Sequence, residues 1–330
     1  MKSILNKLFK HQSLDRSEAK TVLSNLAQGQ YNSSQMAAFL TVYLMRSITV
    51  DELEGFRDAM LELCLRVDLS EFDTIDLCGT GGDGKDTFNI STLSSFVAAG
   101  AGLKVTKHGN YGVSSRCGSS NLLEHFGCVF SNDATIIKRS LDESGICFLH
   151  APMFHPAMKN VGPVRKELGV KTFFNMLGPM VNPAFPRHQL VGVFSLELAR
   201  LYGYLYQKSP TNFMVIHALD GFDEVSLTGD FKAISQQHET VMTPADLNLP
   251  MVKLEDLSGG DTIEASAKIF EDILSNQSTR PQKDVVTANA GLAISLAKKV
   301  SVAQGINEAK EALESRKALE AFKKFIEINH

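Results

Sequence analysis

Four glycines that follow a short apolar segment are the residues of this 330-residue chain whose type and spacing point most directly to chemistry. Glycine lets successive backbone N–H groups crowd together, and a helix that begins directly behind such a loop adds unpaired N–H donors and a partial positive charge. Residues 76–92 therefore predict a loop that binds phosphate. The glycines are Gly79, Gly81, Gly82 and Gly84, and the helix is predicted to begin at Asn89.

Two nucleotide-binding motifs match the letters of this loop, but each lacks a residue that it requires. A dinucleotide fingerprint needs an acidic residue about 20 positions after the glycines, and there the sequence carries the basic residues Lys104, Lys107 and His108. A P-loop needs Ser or Thr directly after Lys85, and that residue is Asp86. We therefore disfavour both nucleotide interpretations. A tight turn without a ligand is also disfavoured, because it would need fewer glycines.

A second loop of similar character follows the next predicted strand. Residues 107–120 combine glycines, hydroxyl groups and the cations Lys107 and Arg116, all of which suit phosphate oxygens. A polar turn that caps a helix would explain either loop alone. Two such loops at neighbouring strand ends instead indicate a ligand with phosphate groups at both ends.

An adjacent pair of acids, Asp223 and Glu224, follows a third predicted strand at residues 213–217. On a loop the two carboxylates can converge, and two oxygen ligands close to phosphates suit Mg²⁺ that keeps part of its water shell. An isolated acid pair would more simply be a solvated turn. Its place at a strand end, opposite two phosphate loops, favours a magnesium site.

A fourth group of residues suggests a site for an aromatic carboxylate. Arg165 is a candidate clamp, because a guanidinium pairs with a planar carboxylate through two hydrogen bonds. Phe154 and Met158 could form the wall for an aromatic ring, although each residue alone is more often part of a core or surface. His155 precedes a proline and fits a hydrogen-bonded turn better than a catalytic base.

The surrounding pattern predicts an α/β fold with a second, helical part. Residues 1–69 show only helical periodicity, with capping boxes at Asp15 and Thr49, and a helical segment at 155–187 is expected to rejoin this domain. Residues 70–154 and 188–330 alternate strand and helix, which predicts a mostly parallel central sheet flanked by helices. Ligands bind such sheets at the carboxyl ends of the strands. Strands are predicted at 74–78, 104–107, 146–150, 190–194 and 213–217.

Composition excludes several other classes of protein. The formal net charge is −4, so no basic field would recruit nucleic acid. The five cysteines are odd in number and form no C-x-x-C pair, which favours reduced thiols in the cytoplasm. Residues 1–10 lack the features of a signal peptide, and the longest apolar run, residues 36–45, is too short to span a membrane. We therefore expect no membrane partner.

Taken together, these motifs resemble the anthranilate phosphoribosyltransferase family, a group of the nucleoside-phosphorylase type, over essentially the whole chain. The resemblance implies a dimeric enzyme with a helical and an α/β domain. It also implies transfer of 5-phosphoribosyl from phosphoribosyl diphosphate (PRPP) to anthranilate with Mg²⁺, the second step of tryptophan synthesis from chorismate. The matching motifs are Asp76-x-x-Gly-Thr-Gly-Gly-Asp83, Thr87-x-Asn89-Ile-Ser-Thr92, Lys107-His-Gly-Asn110, Ser114-Ser115, Gly118-Ser119, His155-Pro-Ala-Met, Val164-Arg165-Lys-x-Leu-Gly, Phe174-Asn-x-Leu-Gly-Pro-x-x-Asn182-Pro and Asp223-Glu224.

The resemblance also implies roles for individual residues, although it assigns no catalytic base. The magnesium ligands would be Ser91, Asp223 and Glu224, and the homodimer would form through the helical domain. Anthranilate would be bound by Gly79, Asn110, His155 and Arg165. PRPP would be bound by Gly79, Gly82, Asp83, Thr87, Asn89, Ile90, Ser91, Thr92, Lys107, His108, Gly109, Asn110, Ser114, Ser115 and Ser119.

The chain departs from the family pattern in the second loop. Tyr111 stands where the family more often has Arg, and Asn121 replaces a common Asp. The missing arginine leaves open how this loop carries its positive charge, which Arg116 and Lys107 could supply. Two rival functions remain: a pyrimidine nucleoside phosphorylase, which would not need the acid pair, and a non-catalytic relative that binds nucleic acid, which should have a basic surface.

Overall fold

The computed structural model describes residues 1–112 and 116–330. Within these residues the chain divides into two compact units. The helical unit contains Met1–Arg66 and Ala151–Pro183, and the α/β unit contains Val67–His150 and Ala184–His330.

The helical unit begins with α1 (Lys2–Leu8), α2 (Arg16–Ala27), α3 (Ser33–Met45) and α4 (Val50–Leu63). The predicted capping boxes are confirmed: Asp15 and Glu18 pair reciprocally at the start of α2, as do Thr49 and Glu52 at the start of α4. Each box satisfies N–H groups that the first helical turn leaves unpaired. Short helices at Ala151–Phe154, Gly162–Leu168 and Phe174–Leu177 complete the unit.

An aromatic cluster forms the core of the helical unit. The rings of Phe39, Tyr43, Phe56 and Phe173 pack together, with Phe56 stacked on Phe173 at a centroid distance of 4.4 Å. Phe39 and Phe56 are completely buried. Because Phe173 comes from the later segment of the chain, this packing fixes that segment, and with it Arg165, to α3 and α4.

The α/β unit is built on one sheet with the strand order β3-β2-β1-β4-β5-β6-β7. Strands β1 to β5 are parallel, and β6 and β7 are antiparallel. Its helices are α5 (Ile90–Gly100), α6 (Ser119–His125), α7 (Ala134–Ser144), α8 (Leu196–Gln207), α9 (Ile263–Leu274), α10 (Arg280–Lys298), α11 (Val302–Glu314) and α12 (Lys317–Ile328). The strands are β1 (Thr74–Gly79), β2 (Lys104–Gly109), β3 (Ile146–His150), β4 (His188–Gly192), β5 (Asn212–Ala218), β6 (Phe231–Ser235) and β7 (Glu239–Met242).

The sheet reverses its direction of growth beside β1. The chain proceeds outward from β1 to β2 and β3, and then returns to place β4 on the other side of β1. The carboxyl ends of β1 and β4 therefore form the switch point at which sheets of this kind bind ligands. Gly79 and Gly192 are register partners at this end.

The predicted fold class is confirmed, with two differences in detail. The fourth strand begins at His188, two positions before the predicted residue 190, and ends at Gly192. Strands β6 and β7 were not predicted; β7 has only four residues, and its side chains are mostly exposed. Within the described residues no single helix has the length and hydrophobicity needed to cross a membrane, although α10 and α11, bent by 120°, pass that test as a pair.

Candidate active site

The glycine loop after β1 has the backbone conformation that its sequence predicts. Gly81, Gly82 and Gly84 have φ values of +64°, +81° and +74°, a region that most other residues avoid. Asn89 is the N-cap residue of α5 but makes no side-chain capping bond, and its side-chain amide instead donates to the carbonyl of Cys117 at 2.9 Å. The loop and the first turn of α5 thus present backbone N–H groups at the carboxyl edge of the sheet.

The acid pair, Asp223 and Glu224, is hydrogen-bonded to two of these N–H groups. Asp223 Oδ2 accepts a hydrogen bond from the Gly81 N–H at 2.6 Å, and Glu224 Oε1 accepts one from the Ser91 N–H at 3.0 Å. A side chain at Gly79 would overlap the Asp223 carboxylate, and one at Gly192 would overlap the Asp223 backbone. The two glycines therefore make room for the acid pair at the switch point.

Burial, together with nearby negative charge, raises the pKa values of both acids. Burial, followed by the charge of Asp83, raises the pKa of Asp223 to about 7. Burial, followed by the charges of Asp223 and Asp83, raises the pKa of Glu224 well above its usual range. Removing carboxylates from water disfavours their charged form, and neighbouring like charges add to this effect. A divalent cation bound beside these carboxylates would favour their charged forms and lower both pKa values.

The residues present fit Mg²⁺ that completes its coordination with substrate and water. Among the described residues, no group of three His, Cys, Asp or Glu side chains is arranged to hold a metal ion on its own. Mg²⁺ is commonly held by one or two carboxylates together with substrate phosphates. Asp223, Glu224 and the hydroxyl of Ser91 offer oxygen ligands of this kind.

Lys107 is a buried cation close to the acid pair. Only 2% of its surface is exposed, and its Nζ donates to the Leu77 carbonyl at 2.7 Å and contacts the Ser91 hydroxyl at 3.4 Å. Burial lowers the pKa of Lys107, while the charges of Asp76 and Glu224 oppose that shift. Lys107 therefore orients Ser91 and counterbalances the acids.

The second loop begins at Asn110 and returns at Ser119. The Asn110 carbonyl accepts from the Ser119 hydroxyl at 3.3 Å and from the Ser120 N–H at 3.2 Å. The predicted PRPP residues Ser114 and Ser115 lie outside the described residues. Tyr111 donates its hydroxyl proton to Glu124 at 2.6 Å and packs edge-on against His150.

Arg116 connects the second loop to the glycine loop. Its backbone N–H donates to Asp86 Oδ1 at 3.1 Å, and its guanidinium pairs with Asp86 at 3.4 Å and with Asp261. Its charge is therefore directed at two carboxylates of the chain itself. Arg116 does not replace the missing arginine of the second loop in this arrangement.

The remaining predicted PRPP residues lie on the same edge of the α/β unit. Thr87 forms an isolated bridge with Ser258, and the Phe88 N–H donates to the Leu257 carbonyl at 3.1 Å. This contact from the segment before α9 was not predicted, because Leu257 and Ser258 carry no chemical signal in the sequence. The others lie in the glycine loop (Gly82, Asp83), in the first turn of α5 (Ile90, Thr92) and at the end of β2 (His108, Gly109).

Two predicted anthranilate residues belong to the helical unit. Arg165 donates to the Asn175 side chain at 3.2 Å and lies over the Phe174 ring at 5.2 Å, and its buried Nε has no hydrogen-bond partner in the described part of the chain. Burial lowers the pKa of Arg165, and no acid among the described residues offsets that shift. Burial also lowers the pKa of His155 to about 4, which disfavours the charged imidazolium form of this side chain.

The other two predicted anthranilate residues, Gly79 and Asn110, belong to the α/β unit. Gly79 ends β1 beside the acid pair, and Asn110 opens the second loop. That these two bind anthranilate together with His155 and Arg165 stays a prediction.

Comparison with known proteins extends this picture. Residues 71–319 match the model of a glycosyl transferase family, a/b domain, and residues 2–64 match the helical bundle domain of that family. The chain is 62% identical to anthranilate phosphoribosyltransferase from Flavobacterium johnsoniae over 305 aligned residues. The alignment covers 92% of each of the two chains.

Solved structures show the same relationship. The crystal structure of anthranilate phosphoribosyltransferase from Thermus thermophilus has a TM-score of 0.91 and 33% identity, covering 98% of both chains. The Saccharomyces cerevisiae enzyme in complex with PRPP and Mg has a TM-score of 0.92 and 27% identity, covering 99% of this chain and 96% of that one. On the sequence, the fold and these similarities, the chain belongs to the anthranilate phosphoribosyltransferase family of glycosyl transferases.

Proposed function

We propose that this chain transfers the 5-phosphoribosyl group of PRPP to the amine of anthranilate and releases diphosphate. The observation that carries the proposal is the position of Asp223 and Glu224. Both carboxylates accept hydrogen bonds from backbone N–H groups, at the glycine loop and at the start of α5. Donors that attract two buried carboxylates are equally suited to the oxygens of a diphosphate.

In the proposed reaction the bond between the anomeric carbon of PRPP and diphosphate breaks, and a bond to the anthranilate nitrogen forms. The aromatic amine attacks as a neutral nucleophile, and the extra proton on its nitrogen then passes to water or to the departing diphosphate, so no strong base is required. The N–H groups of the glycine loop would stabilise the negative charge that gathers on the leaving diphosphate. Bound at Ser91, Asp223 and Glu224, Mg²⁺ would neutralise part of that charge.

Arg165 would orient anthranilate by pairing with its carboxylate. Its half-buried guanidinium contacts Asn175 and Phe174 but has no ion pair in the described residues. Orientation of a weak nucleophile can lower the activation barrier by several kcal/mol. Asn110 and Gly79, which belong to the α/β unit, are also proposed to bind anthranilate.

The fluorescence of anthranilate provides a direct test. We expect its consumption to require both PRPP and Mg²⁺, and diphosphate to appear in equal amount. Omission of either component, or addition of excess EDTA, should stop the reaction. Phosphorolysis of uridine or thymidine without anthranilate turnover would instead support the pyrimidine nucleoside phosphorylase alternative.

We also propose a cytoplasmic homodimer that forms through the helical unit. The cysteines are free thiols. Helix α3 buries Phe39 and Leu40, but Leu44 and Met45 near its end are 46% and 85% exposed. Exposed apolar side chains that cluster on one element favour a protein interface. Light scattering should show a dimer for the wild type and a monomer for Leu44→Glu/Met45→Glu, whereas a monomeric wild type would contradict the proposal.

A further inference from the structure

One side-chain oxygen closes the base of the second loop. Asn121 Oδ1 accepts the Gly112 N–H at 3.0 Å and the Gly118 N–H at 3.1 Å. Gly112 and Gly118 stand before and after residues 113–115 in the chain, so this single acceptor ties the outgoing and returning parts of the loop together. Their backbones are also in close contact, because a side chain at Gly118 would overlap the Gly112 nitrogen.

Two of the predicted PRPP residues lie at the base of the second loop. Asn110 precedes it, and the Asn110 carbonyl accepts hydrogen bonds from the Ser119 hydroxyl and the Ser120 N–H. The Asn110 side-chain oxygen accepts the Tyr111 N–H at 2.8 Å. Asn110 and Ser119 are thus fixed to each other at the point where Asn121 joins the loop.

Helix capping explains only part of this arrangement. Gly118 is the N-cap of α6 and Asn121 is its third helical residue, so the bond from the Gly118 N–H is half of a capping box. The bond from the Gly112 N–H has no place in a helix cap, because Gly112 lies on the other side of the loop. Asn121 therefore does more than begin the helix.

We infer that Asn121 is a positioning residue for PRPP, which acts through the backbone that carries Asn110 and Ser119. This inference rests on the proposed function. Loss of both hydrogen bonds would leave the backbone at Gly112 and Gly118 free to sample other conformations, and PRPP binding would then have to order these two positions. The free energy of ordering this backbone should weaken PRPP binding and leave kcat unchanged. Once PRPP is bound, the backbone is ordered in wild type and variant alike.

The test compares three variants of the full-length protein. Asn121→Ala removes both hydrogen bonds, and Asn121→Asp keeps an acceptor oxygen in the same place. Gln282→Ala is the matched control, because Gln282 is the equivalent residue of the capping box that Thr279 begins before α10, in the same unit. The readouts are the KM for PRPP, kcat, and hydrogen exchange of the peptide that contains Gly112 and Gly118.

For Asn121→Ala we expect the KM for PRPP to rise about tenfold, equivalent to about 1.4 kcal/mol. We expect kcat at saturating PRPP to stay within about twofold, and exchange at Gly112 and Gly118 to become faster in the free protein. Asn121→Asp should restore slow exchange and a KM within about threefold of wild type. Gln282→Ala should leave all three readouts unchanged.

Two results would overturn the inference. One is an Asn121→Ala variant whose PRPP KM and loop exchange match those of Gln282→Ala, which would reduce Asn121 to a helix cap. The other is a loss of kcat with unchanged PRPP KM. A wild type that consumes no anthranilate would refute the proposed function and, with it, the role of Asn121 toward PRPP. Hydrogen exchange is measured without substrates, so it would still decide whether Asn121 orders the backbone at Gly112 and Gly118.

Discussion

In the α/β unit the buried acids Asp223 and Glu224 accept hydrogen bonds from backbone N–H groups, whereas in the helical unit the half-buried Arg165 has no acidic partner in the described residues. The first region gives its carboxylates hydrogen bonds but crowds their negative charges, and the second keeps a cation without an ion pair in the described residues. Both are costly for folding, since burial disfavours a charge that has no counter-ion.

This contrast determines how each region can bind its ligand. Gly81 and Ser91 already donate to carboxylates, so under the proposed function a diphosphate would share or exchange these donors, and a cation would draw acids and phosphates together. Arg165 needs no such exchange, because a carboxylate can pair with it directly. We therefore expect metal dependence to reside in the α/β unit alone.

The largest effect is expected from neutralising the acid pair. Asp223→Asn with Glu224→Gln keeps an acceptor oxygen for each N–H donor but removes the charges that would hold Mg²⁺. We expect kcat/KM with Mg²⁺ to fall at least about 1,000-fold, equivalent to about 4 kcal/mol. Steady-state anthranilate fluorescence over a range of Mg²⁺ concentrations measures this change.

Another adjacent acid pair provides the control. Asp142 and Glu143 end α7 near the opposite edge of the sheet, and both are exposed. Asp142→Asn with Glu143→Gln changes the net charge equally and should leave Mg²⁺-dependent turnover within about twofold. A fully active Asp223→Asn/Glu224→Gln enzyme would refute the metal role of the pair.

A smaller and more selective effect is expected from Arg165→Ala. The KM for anthranilate should rise about 100-fold, near 3 kcal/mol, because a charge-assisted pair with the carboxylate is lost. The KM for PRPP should change less than about threefold. The melting temperature should fall less than it does when an ion-paired arginine of the same unit is removed, since Arg165 loses only its contacts with Asn175 and Phe174.

Arg57→Ala is the matched control for this prediction. Arg57 lies in the same unit, and its guanidinium pairs with Glu54 and Asp58 at 3.5 Å and 3.0 Å. We expect the opposite pattern, with a lower melting temperature and unchanged KM values. Equal rises of both KM values in Arg165→Ala would remove Arg165 from the anthranilate site.

Much of this contrast could be predicted from the sequence. Alternation of strands and helices indicated the parallel sheet, and the glycines with positive φ follow β1 as expected. Asp223 and Glu224 were predicted to face the glycine loop from a strand end, and their hydrogen bonds to Gly81 and Ser91 confirm that placement. These features are local in the sequence or follow from the topology of the sheet.

Features that depend on pairing between distant segments could not be predicted. The close approach of Gly192 to the Asp223 backbone depends on which strands are neighbours, as does the bond between Phe88 and Leu257. The engagement of Arg116 with Asp86 and Asp261 is of the same kind. Sequence spacing showed that Arg116 was a cation in a phosphate loop but not which partner it would take.

The smallest effect concerns stability and pH in the metal-free protein. Because the pKa of Asp223 is raised from 3.8 to about 7 in the folded state, the folded protein binds more protons than the unfolded chain between these values. Its contribution to stability is therefore present below pH 4 and lost as the pH rises through 7. Asn at position 223 does not titrate, so Asp223→Asn should keep its stability as the pH rises. In EDTA its melting temperature should therefore exceed that of wild type, by a difference that grows from about pH 4 to pH 7 and reaches a few degrees. Scanning calorimetry of both proteins over this pH range checks this, and melting temperatures that change in parallel would show that the pKa of Asp223 is not raised by its burial and by the charge of Asp83.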